Sequence, residues 1–250
     1  MNVEKYLSSS SVGKWTILSG IVAFVSYFLV IAGFNFNFEI FSNPLFVFET
    51  EGINTSFLRW SLITDMFGYY LLLLPALFYF YFHMKEALPW SSVTTLCGIG
   101  YILIGCAGAA ILAVFWPSLI DNYPALAADQ QETARMIFST VTTIVMEGMW
   151  NLLNSFLSGI WFLGIAFFLK GNRSLYILTL VLSLSCLADF LGNMLGVESL
   201  AEMSLNIYLI LLPIWAIVIG LHLISPTGQM VKYFGPSLPG YQRMAEPFFR

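Results

Sequence analysis

From Met203 to Ile224 the chain reads MSLNIYLILLPIWAIVIGLHLI, without one Asp, Glu, Lys or Arg. An α-helix rises about 1.5 Å per residue, so this run is about 33 Å long as a helix, enough to cross the hydrocarbon core of a bilayer. Five further runs have the same character: Trp15 to Gly33, Leu58 to Phe82, Thr94 to Trp116, Ile137 to Leu169 and Leu175 to Leu195. Together they predict an all-α, polytopic membrane helix bundle of about six transmembrane helices over residues 1–224, followed by a tail over 225–250. The fourth run is too long for a simple span. Its approach, from about Ala127 through Ala134, is expected to project from the membrane as an amphipathic extension.

Composition agrees. Hydrophobic residues make up 58% and charged residues 10% of the 250, and the mean hydropathy is +0.81, far outside the range of a soluble domain. A net charge of -4 with no cluster of Lys or Arg excludes a nucleic-acid partner. Cys97, Cys106 and Cys186 all fall in apolar runs and form no CxxC pair, so they read as packing residues rather than disulfide or zinc ligands. Lys5 and Lys14 precede an apolar run ending Val30-Ile31-Ala32, a loose likeness to a signal peptide. The run is long for that, and an uncleaved first span is expected.

The basic residues test the span count independently. With six spans, Lys5, Lys14, Lys85, Lys170, Arg173, Lys232, Arg243 and Arg250 share one side, and only Arg59 and Arg135 lie opposite. The positive-inside rule then puts both termini in the cytoplasm, with the protein in the plasma (inner) membrane. Asn54-Thr55-Ser56 and Asn172-Arg173-Ser174 both match glycosylation sequons but fall on opposite sides, so neither assigns one. The longest outside connection, from about Phe34 to Ser56, carries the alternating FNFNFEIF string. It is expected either to lie at the interface with Phe34, Phe36, Phe38 and Phe41 in the headgroups, or to cover an outward-facing pocket.

Small residues and prolines shape the spans. In the third, Gly98, Gly105, Gly108 and Ala109 predict close approach of a neighbouring helix. Pro75 and Pro213 end similar strings, Tyr70-Leu-Leu-Leu-Leu-Pro75 and Tyr208-Leu-Ile-Leu-Leu-Pro213, and each is expected to free a carbonyl that then needs a partner.

The polar residues inside spans carry the functional question, because ionisable groups there are costly. At helical spacing Ser61, Asp65 and Tyr69 form one stripe, Glu147, Asn151, Asn154 and Ser158 a second, and Ser185, Asp189 and Asn193 a third. Three polar stripes are untenable in lipid and are expected to face one another. Counting helical rise from the cytoplasmic ends puts Asp65, Asn151, Asn154 and Asp189 within one layer, roughly 22 to 29 Å up. Arg59 and Glu147 come out at roughly 34 to 35 Å, where they are expected to pair at the outer rim. No basic residue shares the height of Asp65 and Asp189. Their carboxyls are therefore either protonated, bonded within an interhelical network, or balanced by a bound cation or polar ligand.

Enzyme signatures are missing. Ser158-Gly159 lacks the Gly-x-Ser-Gly setting of an intramembrane serine protease, and His222 falls at the other end of its span. His83 and His222 both sit at cytoplasmic span ends, as interfacial rings do, and apart from a bis-imidazole haem arrangement they suggest no cofactor. No His, Cys and carboxylate set at metal-ligand spacing occurs, so no metal, cofactor or catalytic residue is expected.

Arg59 to Asp65, an Arg-x-x-x-x-x-Asp second span, together with the long polar-striped fourth span and the short sixth, resembles a family of uncharacterised bacterial six-span integral membrane proteins known as a domain of unknown function. The resemblance covers roughly Trp15 to Ile224 and implies the six-span architecture but no activity. The residues themselves point to a non-enzymatic protein with an outward-facing acidic pocket. It would bind or pass a small polar or cationic solute, or protons, with Asp65, Asn151, Asn154, Asp189 and Asn193 as ligand-binding residues. The alternatives are an accessory or scaffolding subunit of a larger membrane complex, or an intramembrane enzyme. The expected partners are the lipid bilayer, such a solute, and further membrane subunits or a second copy.

Overall fold

The computed structural model describes residues 8–225. The tail expected over 225–250 lies outside the described residues, save Ser225. Six helices are long and apolar enough to cross a membrane: α1 (Ser9–Gly33), α2 (Thr55–Met84), α3 (Ser91–Ala125), α4 (Ala128–Gly171), α5 (Arg173–Leu195) and α6 (Glu198–Ile224). There is no strand among the described residues.

All six helices begin before their apolar runs, and in three of them a capping side chain sits at the start. The side chains of Ser8, Asn54 and Asn172 accept backbone N–H bonds at the first turns of α1, α2 and α5. Both sequon asparagines are therefore N-caps. At the far end of α5, Gly196 takes a left-handed φ of 69°, and Val197 N–H bonds back to the Gly192 carbonyl at 2.8 Å.

The topology is a closed ring. Each helix packs against its neighbours in sequence, and α1 closes on α6. Lipid offers no hydrophobic drive for helices to associate, so close packing must hold the ring together. The α1–α6 seam shows how: a β-carbon on Gly220 would stand 2.6 Å from the Gly13 carbonyl, and one on Gly20 would stand 2.5 Å from that of Pro213. The α3 glycines act differently from expectation. A β-carbon on Gly98 would meet the side chains of Leu77 and Trp161, and those on Gly105 and Gly108 the rings of Tyr70 and Trp150. They make room for side chains reaching into the ring, not for a neighbouring backbone.

One half of the interior, towards the 85–90 and 172 connections, is filled by aromatic packing. Phe162 meets Trp215 edge-on with ring centres 5.0 Å apart, Trp161 stacks on Tyr101 at 5.6 Å, and all four are fully buried. Trp215 Nε1 donates to Thr179 Oγ1 at 2.9 Å, which satisfies its polar tip.

At the other end the 34–54 connection folds inward. Its two ends are tied by Asn54 N–H to the Gly33 carbonyl at 2.9 Å, and Asn37 Nδ2 donates to Thr50 Oγ1 at 2.8 Å. Phe34, Ile40 and Val47 are buried under it, whereas Phe36 and Phe38 are 67% and 60% exposed. Within the FNFNFEIF string some rings thus turn outward and others cover the interior. The amphipathic start of α4 is held against this connection rather than standing free. Phe138 packs edge-on to Phe48 at 5.0 Å, and Arg135 bonds Glu49 at 2.7 Å.

Two helices depart from α geometry within their spans. In α2 a π-helical turn at Met66–Tyr70 and a 3-10 turn at Leu71–Leu73 separate two α segments, with Pro75 at the start of the second. In α4 the whole of Ile144–Asn154 is π-helical. Such segments leave backbone groups off the regular ladder and recur at functional sites.

Candidate functional site

The freed carbonyls of the α2 break are taken up by side chains from neighbouring helices. Ser19 on α1 donates to the Gly68 carbonyl, and Tyr101 on α3 donates to that of Tyr69 at 2.6 Å. Tyr69 in turn donates its hydroxyl to the Leu209 carbonyl at 2.8 Å. Leu209 lies four residues before Pro213, which has no N–H to offer it, so this is the carbonyl that proline was expected to free. The break is thereby held by α1, α3 and α6 together.

Beside it lies a cavity of about 170 Å³, running from under the 34–54 connection into the ring. Asp65, the last residue before the π turn, lines it together with Asn151 and Asn154 from the π segment of α4. No residue lining the cavity is Lys, Arg or His. Asp65 Oδ2 is covered and has no hydrogen-bond partner among the described residues. A carboxyl so placed is costly unless it carries a proton or is balanced by a cation, a polar ligand or water in the cavity. Trp161 Nε1 is also buried without a partner, but it belongs to the aromatic half and is an uncharged donor.

The other polar groups on the cavity wall divide into engaged and free. Asn154 donates to the Tyr101 carbonyl at 2.6 Å, Tyr208 shares a hydrogen bond with the Tyr101 hydroxyl at 2.9 Å, and Ser61 donates to the Leu58 carbonyl at 2.7 Å. Asn151, Tyr27 and Tyr70 line the same space, and their polar side-chain atoms make no hydrogen bond among the described residues. Tyr27 and Tyr70 were not legible as site residues, because a tyrosine in an apolar run looks like packing.

Asp189 and Asn193 form a separate set. Asp189, 1% exposed, accepts one hydrogen bond from Ser155 Oγ and another from Asn193 Nδ2 at 2.9 Å, so both carboxylate oxygens are engaged. Neither residue lines the cavity; Ser155, which does, stands between. The single layer expected of Asp65, Asn151, Asn154, Asp189 and Asn193 is therefore two groups. Three residues border the cavity, and two are satisfied behind Ser155.

The outer-rim pair of Arg59 and Glu147 does not form. Both residues are exposed, and the one ion pair among the described residues is Arg135 with Glu49. Arg59 and Glu147 are exposed on α2 and α4, which are not neighbours in the ring. The π segment also changes which α4 residues share a face, because its i→i+5 bonding needs more residues per turn than an α-helix. Glu147 turns outward while Asn154 turns in. Among the described residues, no group of three or more His, Cys, Asp or Glu gathers to hold a metal ion.

No family model, curated protein or solved structure matches this chain. Nothing in these comparisons bears on the resemblance drawn from Arg59, Asp65 and the pattern of spans.

Proposed function

We propose that the protein is a non-enzymatic membrane protein of the plasma (inner) membrane, with both termini cytoplasmic, whose cavity binds or passes a small cationic or polar solute or protons at Asp65. The observation that carries this reading is the unpartnered Asp65 carboxyl on a cavity wall without a basic residue. An acidic group so placed is costly unless a proton or cation completes it, and a fold with no use for one would gain by replacing it. Among the described residues, Arg59 and Arg135 lie towards the cavity end and Lys14, Lys85, Lys170 and Arg173 towards the other, which by the positive-inside rule supports this orientation and an outward-facing cavity.

A second reading, an accessory subunit whose polar residues only fix helix register, is favoured by the Asp189, Ser155 and Asn193 cluster, which is satisfied within the protein. Thermal unfolding of the full chain in detergent separates the two. With sodium, potassium and methylammonium chlorides, and across pH, the first reading expects at least one cation or the proton to raise the midpoint in the wild type and none to do so in Asp65→Asn. A wild type that none of them shifts leaves the accessory reading standing.

A further inference from the structure

We infer that the ligand is a small organic ammonium ion carrying at least one N–H and an apolar group about the size of one aromatic ring. This rests on the reading of Asp65 as the cation site and narrows it to a chemical class. Three observations carry it.

The first is size. An engineered apolar cavity of about 150 Å³ accommodates a benzene ring, and a water molecule takes about 30 Å³ of liquid. The 170 Å³ here would hold one ring plus a charged group, or about five waters around an inorganic ion.

The second is where the wall is apolar. Towards the 34–54 connection the cavity is walled by Phe34, Ile40, Phe41, Trp116 and Phe138. Phe34 packs on Trp116 with ring centres 5.8 Å apart and on Phe41 at 5.4 Å. Trp116 Nε1 is consumed by Thr142 Oγ1 at 2.9 Å, so the indole offers the cavity only its hydrocarbon surface. Waters around an alkali ion would find no partner along this wall, whereas an apolar group would replace them at a gain.

The third is the balance of free polar groups at the other end. Asp65, Asn151, Tyr27 and Tyr70 remain unengaged, while the hydroxyls of Tyr69 and Tyr208 and the Asn154 amide are already bonded. One carboxylate facing the cavity matches one positive charge, because Asp189 is engaged elsewhere. A primary ammonium presents three N–H donors, and the Asp65, Asn151 and Tyr70 side chains present oxygen acceptors. A quaternary ammonium has no N–H donor to give the Asp65 carboxylate.

The test is calorimetric titration of the full-length chain in detergent with benzylammonium chloride, with tetramethylammonium and sodium chlorides and neutral benzyl alcohol as comparisons. The expected result is saturable benzylammonium binding that tetramethylammonium and sodium do not displace. Asp65→Asn should weaken it more than tenfold while binding benzyl alcohol at least as well as the wild type, which shows the variant to be folded. Glu147→Gln, on the outer surface, should change neither. If sodium or tetramethylammonium binds in an Asp65-dependent way and benzylammonium does not compete, the ligand class is overturned while Asp65 stands as a cation site. If none of the cations binds the wild type, both the class and the cation reading fall.

Discussion

Asp65 and Asp189 look alike in the sequence, each an acidic residue i+4 from a serine on a polar stripe, and the fold treats them oppositely. Asp189 is closed off by Ser155 and Asn193, while Asp65 is left with Oδ2 covered and unbonded. Sequence reasoning found both acids because charge in a lipid span is conspicuous. It could not tell which was satisfied, since that depends on Ser155, a residue on the neighbouring helix α4, meeting Asp189 on α5. The pairing makes its own prediction. Ser155→Ala removes one of the two bonds to a buried carboxyl and should lower unfolding stability in detergent by about 1–2 kcal/mol, towards the upper end for interhelical bonds in membranes. No change in stability would mean that Asp189 is held by something other than this cluster.

At the scale of helices, the end of every apolar run but the third lay within two residues of a helix end, because hydropathy and helix length are linked through the thickness of the membrane, whereas the third helix continues past Trp116 to Ala125. What the runs could not show was the loss of α geometry inside α2 and α4. Leu-rich and polar-striped segments read as regular helix at 3.6-residue spacing, and the π segment at Ile144–Asn154 invalidates that spacing where it matters most. Glu147 and Asn154 lose their shared face for this reason, one exposed and the other buried. Pro213 was more legible than Pro75: its missing N–H demands a partner for a carbonyl four residues earlier, and Tyr69 supplies it, whereas Pro75 stands in the first turn of an α segment and the Leu71 carbonyl is taken by Leu74 N–H. Small residues divide by what they touch. Gly220→Ala would drive a β-carbon to within 2.6 Å of the Gly13 carbonyl and 2.9 Å of the Ile17 nitrogen, forcing α1 and α6 apart. That should cost about 1–3 kcal/mol. Gly148→Ala, with nothing within 4 Å of the added carbon, should be neutral or stabilise by up to about 1 kcal/mol. Paired unfolding measurements on the two variants check the seam; equal effects would contradict it.

For the whole molecule, the ring of six helices does two jobs in its two halves. Towards the 85–90 and 172 connections it packs Trp161, Phe162 and Trp215 tightly, and towards the 34–54 connection it encloses a cavity with apolar walls and one unpaired acid. The six-span architecture was legible because it follows from composition and run length alone. An acidic pocket was expected from the polar stripes, but its apolar wall was not legible, because the cavity forms only where α1, α2, α3, α4 and α6 and the covering connection come together, and no single segment encodes it. The central claim is that Asp65 is completed by something other than the protein. The most direct measurement is an experimental density map of the full chain in lipid, at a resolution that shows ordered waters. The account predicts a water, ion or ligand feature within hydrogen-bond distance of the Asp65 carboxyl and Asn151. A dry cavity, or a side chain of the protein bonded to Asp65 in place of such a feature, would contradict it.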